Sequence, residues 1–140
     1  AQATSQSSEE FQSYANIMLN AGVDPNSPYS AISFDTMMLA ALALQHQSYN
    51  NYSKEDLSKS LVSVANPPGI TMGPGSWQAA RALILRGVEI NYEGVSGSLD
   101  FDVNGDVEGL YSLNQVTEEN LWSVKPLEKL HPFEPRIIID

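Results

Sequence analysis

The sequence predicts an α/β fold of helices plus a β-hairpin, with part of its sheet missing. Three observations lead there. An acidic stretch alternates apolar and polar residues around an Asn-Gly pair. Four segments carry helical spacing, and one of them is apolar on every side. The strand-like runs are too few to cover that helix.

The stretch Gly94–Tyr111 reads GVSGSLDFDVNGDVEGLY. Leu99, Phe101 and Val103 alternate with Asp100 and Asp102, the period of a strand with one buried face. Asn104-Gly105 follows, and both residues tolerate the positive φ of a type I′ turn, so a β-hairpin is expected. The same letters also resemble a calcium loop, with Asp100, Asp102, Asn104 and Asp106 in ligand positions around Gly105. Such a loop needs a bidentate Glu at its twelfth position, where Tyr111 stands, and its flanks do not support two clasping helices. A solvated acidic hairpin is the preferred reading, with Ca²⁺ at most a weak contact.

Seventeen acids against seven Lys and Arg give a net charge of −10, which repels phosphate backbones and argues against nucleic-acid binding. No cysteine means no disulfide and no thiolate chemistry. No apolar run approaches the roughly 20 residues that span a bilayer. The chain opens AQATSQSSEE, without Met, a basic region or an apolar leader, and looks cut from something longer. Asn51-Tyr52-Ser53 is a formal glycosylation sequon of a kind common by chance.

In chain order, Ser7-Ser8-Glu9-Glu10 has capping-box spacing, and Phe11, Tyr14, Ala15, Met18 and Leu19 form the stripe of a helix over Glu9–Ala21. Gly22 stands where a C′ glycine belongs, and Asp24–Pro28 is a turn. Ala31–Gln47 carries Phe34, Met37, Met38, Leu39, Leu42 and Leu44 among alanines. This helix has no polar face and requires cover on more than one side. His46 lies at its polar end, where a surface histidine is the default. Tyr49–Tyr52 reads as loop, Ser53 as the cap of a third helix with stripe Leu57, Leu61, Val64 and Ala65, and Asn66-Pro67-Pro68-Gly69 as its stop. ITMGPGSW is expected to be loop, Ser76 the cap of a fourth helix over Trp77–Arg86, and Val88, Ile90 and Tyr92 an extended segment. Thr117–Asn120 suggests a helix start or turn. Beyond it a proline-punctuated tail reaches Asp140, with Ile137–Ile139 able to pair as an edge strand.

The strands that would complete this core are not in the chain, so another chain or a second copy is expected to supply them. No reactive constellation emerges. Gly94–Ser98 departs from G-x-S-x-G at its fifth position, and Asn66–Gly75 lacks the Lys-Ser/Thr of a phosphate loop. His46 and His131 stand far apart without partners at zinc spacing. Asp100 and Asp102 lack the burial that would tune them for acid–base work. The expectation is a protein that is not an enzyme, holds no cofactor and has no metal site.

Three runs in fixed order, PYSAISFDTMMLAALAL, VANPPGITMGPGSWQAARALILRGVEINYEGVSG and SLDFDVNGDVEGLYSLNQV, resemble the C-terminal third of type I periplasmic solute-binding proteins. These are the branched-chain amino acid and amide receptors of ABC transporters. The resemblance covers about Phe11–Val116. Its most specific parts are LDFD-x-NGD and a helix opening that appears here as Tyr29, Ala31, Phe34, Asp35 and Leu39, with Phe34 where the family usually has Tyr. It implies a partial type I lobe, incomplete without the N-terminal part of the family fold. Residues 1–30 would end a C-terminal-lobe segment, 31–106 would lie in the N-terminal lobe, 107–116 would be a crossing strand and 117–140 a tail. Ser30 and Ala31, and Gly109, Leu110 and Tyr111, would be the hinge crossings. Tyr29 and Phe34 would line the cleft or else pack the hinge. The implied partners are a small polar solute such as an amino acid, the remainder of the receptor chain and a membrane permease. The implied location is periplasmic or extracellular, after signal-peptide processing. The class that competes with this is an interaction module that oligomerises through its apolar helix surface.

Overall fold

The computed structural model describes residues 9–27 and 29–107, and the backbone of residues 112–116 and 122–126. The chain divides into two compact units, Ala1–Leu110 and Tyr111–Asp140. The first holds α1 (Glu9–Asn20), α2 (Ser30–Asn50), a 3₁₀ turn (Lys54–Asp56) leading into α3 (Leu57–Ala65), β1 (Ile70–Met72), α4 (Trp77–Ile84), β2 (Ile90–Gly94) and β3 (Gly97–Ser98). It is a mixed α/β arrangement of four helices on a small three-stranded sheet, consistent with part of a type I periplasmic-binding-protein-like domain.

Three helices stop by the same device. A residue one to three places past the helix turns left-handed, and the next amide reaches back to the last turn. Gly22 (φ 73°) ends α1, with Val23 N–H donating to Met18 O at 2.9 Å. Gly87 (φ 71°) ends α4, with Val88 N–H donating to Leu83 O at 3.0 Å. At α2 the same role falls to Asn51 (φ 53°), and Tyr52 N–H donates to Gln47 O at 3.1 Å. The helix therefore runs through Tyr49 and Asn50, which the sequence had suggested were loop. Asn is the non-glycine residue that best tolerates this conformation, and that is what places the stop at Asn51, with α2 ending three residues beyond the expected Gln47.

Two expected caps take other partners. The Ser53 hydroxyl donates to the Asp56 carboxylate at 2.9 Å, across a 3₁₀ turn, rather than to a helix amide. The Ser76 hydroxyl bonds back to the Gly73 carbonyl. The expected Ser7–Ser8 cap of α1 lies outside the described residues.

The segment expected to be loop after Gly69 contains β1, which runs parallel to β2 in the register Ile70↔Ile90, Thr71↔Asn91 and Met72↔Tyr92. Sheet order is β1-β2-β3, so β1 and β3 are the outer strands among the described residues. Pro67 and Pro68 precede it and Pro74 follows. β2 and β3 pair antiparallel, Glu93↔Ser98 and Gly94↔Gly97, across a two-residue turn at Val95-Ser96.

The acidic hairpin is present but contracted to a single bridge, Phe101↔Val107. Its turn differs from expectation. Asp102 O accepts from Gly105 N–H at 3.1 Å, and the Asp102 carboxylate accepts from Asn104 N–H at 2.8 Å and Asp106 N–H at 2.9 Å. These bonds hold Val103-Asn104 in a turn of ordinary hand and leave only Gly105 (φ 84°) left-handed. Val103, expected on the buried face, sits at the tip and is 99% exposed. The same backbone donors hold the Asp102 carboxyl below its usual pKa. Leu99 and Phe101 do pack on the core, and Asn66 fixes this arm by donating to Phe101 O (2.7 Å) and accepting from Phe101 N–H (3.0 Å).

Two apolar clusters hold the unit together. The larger joins Leu39, Leu42 and Ala43 of α2 to Val64 and Ala65 of α3, Ala80 and Ile84 of α4, and Ile90 and Tyr92 of β2. The smaller joins Tyr14 of α1 to Ala31 of α2 and to Val95, with Phe11, Met18 and Phe34 packed around them. The apolar residues of α2 point in all directions, yet among the described residues only one stripe is covered: Met37 is 72% and Leu44 55% exposed. That is the uncovered face the sequence led us to expect.

In the second unit, β4 (Ser112–Val116) pairs antiparallel with β5 (Trp122–Pro126), from Ser112↔Pro126 to Val116↔Trp122. Trp122–Pro126 is therefore a strand, not part of an irregular tail. The expected start at Thr117–Asn120 and the Ile137–Ile139 strand lie outside the described residues.

Candidate functional site

The residues expected to line a cleft gather where α2 begins. Tyr29 precedes α2 with φ 63°, a left-handed conformation that is a genuine outlier for a bulky side chain. Its carbonyl accepts the first helical bond, from Ser33 N–H at 2.9 Å, and its side chain is 73% exposed. Strained exposed residues of this kind concentrate at functional sites, because the surrounding structure must hold them. Phe34 turns inward and meets the Tyr14 ring edge-on, with centroids 5.2 Å apart. Ser30 is fixed by its hydroxyl, which donates to Ser27 O at 2.7 Å and accepts from Tyr14 OH at 2.7 Å. Ala31 is buried against Tyr14 and Val95. Gly109, Leu110 and Tyr111 lie outside the described residues.

A residue not singled out for chemistry organises this end. Asp35 is the charged side chain on the buried stripe of α2, one turn after Ala31 and one turn before Leu39, and is 1% exposed. Its carboxylate accepts four hydrogen bonds. Oδ1 receives Tyr92 OH and Val95 N–H, each at 3.0 Å, and Oδ2 receives Ser96 N–H at 2.7 Å and Ser96 OH at 2.6 Å. Burial, and then the adjacent Asp35 charge, push the Tyr92 phenol well above its ordinary pKa. The first turns of α2 and the Val95-Ser96 turn are thereby pinned together. The sequence signal was a lone carboxylate at i+4 spacing inside an apolar helix, where a solvated face is absent and a partner is obligatory.

At the far end of α2 a cleft of about 430 Å³ opens beside His46. Asn50 Nδ2 lies 3.1 Å from His46 Nε2 and Ser60 Oγ 3.2 Å from Nδ1. An amide N–H can only donate, so Nε2 is the bare nitrogen and Nδ1 carries the proton, which is the neutral ring. Desolvation lowers the His46 pKa, against a smaller upward pull from Glu89. Folding therefore favours the neutral form. Its contribution is whole above pH 6.5 and is lost as pH falls from there through the folded pKa, because the unfolded chain takes the proton first. Melting temperatures between pH 7.5 and 5 are expected to fall further for the native chain than for His46→Gln, and parallel curves would refute this.

Groups of three or more metal-ligating side chains are absent among the described residues. The acidic turn at Asp100–Asp106 spends the Asp102 carboxylate on its own backbone.

The sequence matches the receptor family ligand-binding region over residues 2–119. The chain belongs to this family. As a member of the receptor family ligand-binding region it is a ligand-binding, receptor-like domain of the type I periplasmic-binding-protein kind. No curated protein and no solved structure matches it.

Proposed function

We propose that the chain is the C-terminal portion of a solute receptor serving an ABC transporter. It would capture an amino acid, an amide or a similar small polar solute by hinge closure, and would perform no chemistry. The receptor would work outside the cytoplasm, in the periplasm or the extracellular space, and pass its solute to a membrane permease. Family membership over residues 2–119 carries this reading. The uncovered face of α2 and the outer position of β1 support it, because both fit a lobe completed by further strands. Closure is a shift between open and closed populations, and Tyr29, exposed and strained beside the proposed crossing, would feel it.

Calorimetry with an amino-acid and amide panel tests this. The chain alone is expected to bind no solute tightly, and co-expression with the remaining receptor segment is expected to restore binding. Tyr29→Ala should then weaken it by about tenfold, or roughly 1.4 kcal/mol. Micromolar solute binding by the isolated chain would count against the proposal. The exposed Met37 and Leu44 also support a second reading, an interaction module that self-associates through α2. Concentration-dependent sedimentation that Met37→Glu abolishes, with no solute bound by any assembly, would favour it.

A further inference from the structure

We propose that the cleft at the C-terminal end of α2 is a separate site for a small organic cation, an amine carried on a compact apolar or aromatic body. This goes beyond the receptor reading and does not depend on it. The cleft is built wholly within the first unit, away from the Tyr29 end of α2, and its volume of about 430 Å³ lies in the range of small-molecule sites.

Its chemistry selects sign and shape. Ile84 and Ile90, both buried, form an apolar floor. Tyr49 and Tyr52 line the walls and remain substantially exposed, which leaves aromatic surface there for a cation. Tyr52 stands edge-on to His46 at 5.9 Å, which braces that wall. Among the described residues no Lys or Arg lines the cleft, and desolvation of His46 favours its neutral ring. The formal charge among the described lining residues is the Glu89 carboxylate, close enough to His46 to act on it; Lys59, outside the lining, interacts with Tyr52. A chain of net charge −10 reinforces the preference for a cation over an anion. An ammonium group would pair with Glu89 while its apolar body covered the floor between the two rings.

Phenethylamine and phenylacetate are the probes, since they share a body and differ in charge. In NMR titrations of the 140-residue chain, phenethylamine is expected to shift the His46, Tyr49 and Tyr52 ring resonances saturably, and phenylacetate is not. Glu89→Gln, at an exposed position that should leave folding intact, is expected to weaken the amine about threefold to fivefold, as a partly solvated ion pair allows. Equal binding of both probes, an absence of saturation, or unchanged affinity in Glu89→Gln with a native melt would each overturn the proposal. Failure here leaves the receptor reading untouched, because that reading is tested with the added receptor segment and at Tyr29.

Discussion

Replacing Asp35 with alanine is expected to destabilise the chain by about 3–5 kcal/mol, the scale of several hydrogen bonds to a buried carboxylate lost together. Four donors lose their acceptor at once: Tyr92 OH, Val95 N–H, Ser96 N–H and Ser96 OH. Each buried orphan costs about 1–3 kcal/mol, and the Tyr92 ring, fully buried, has no water to turn to. Asp35→Asn should recover little. Its amide keeps one acceptor oxygen, and in either orientation its N–H₂ faces one backbone N–H, of Val95 or Ser96, that can only donate. The melting temperature should drop by ten degrees or more, on the order expected for a domain of this size.

Gly94 supplies an internal check on the same site. A Cβ there would lie 2.5 Å from Asp35 Oδ2 and 2.7 Å from its Cγ, so Gly94→Ala must push the carboxylate off its donors. In an Asp35→Ala background that obstacle is gone. The alanine at position 94 should then cost clearly less than it does in the native chain, a coupling that a double-mutant cycle reads directly. Additive costs would refute the pin. Asp102→Ala, which removes an exposed carboxylate with bonds only inside its own turn, should leave the melting temperature close to that of the native chain.

Gly69→Ala is the second large effect, and its cause is backbone against backbone. The added Cβ would stand 2.4 Å from the Ile90 carbonyl carbon, 2.6 Å from its oxygen and 2.8 Å from its Cα. No rotamer change relieves that contact, so β1 must move away from β2. The first casualty is the bond from Ile70 N–H to Glu89 O, at 3.0 Å, and with it the register that buries Ile90 and Tyr92. A loss of about 2–4 kcal/mol follows, in the upper range for single substitutions. Gly73→Ala meets nothing within 4 Å and serves as the control. Denaturant melts of the two variants should separate widely, and equal midpoints would show that the strands tolerate the intrusion.

Much of the helical architecture could be read directly. Gly22 and Gly87 marked helix ends because glycine alone takes the left-handed turn without a Cβ penalty. The stripe Leu57, Leu61, Val64 and Ala65 packs on the core as its spacing required. β1 was missed because three residues between prolines carry no measurable period; its strand character comes from its neighbour β2. The Asn104-Gly105 turn was misassigned because Asp102, two residues earlier, captured two amides and selected a different turn. The start of α2 was legible as a special place from Tyr29, Phe34 and Asp35 together. What those residues do there was not. Phe34 and Asp35 face inward to partners Tyr14 and Val95-Ser96, which lie far off in sequence, while Tyr29 faces out. The cleft beside His46 was invisible for a like reason, since its walls come from three separate stretches of chain.

One outer strand of the sheet has a bearing on handling this protein. β1 offers an incoming strand three residues, and the prolines at 67, 68 and 74 deny amide donors on either side. Fibrous stacking generally needs about six or seven consecutive residues in register. Concentrated solutions should therefore resist gelling through this rim, even though it is bare enough to welcome the short, correct neighbour for which its length is suited.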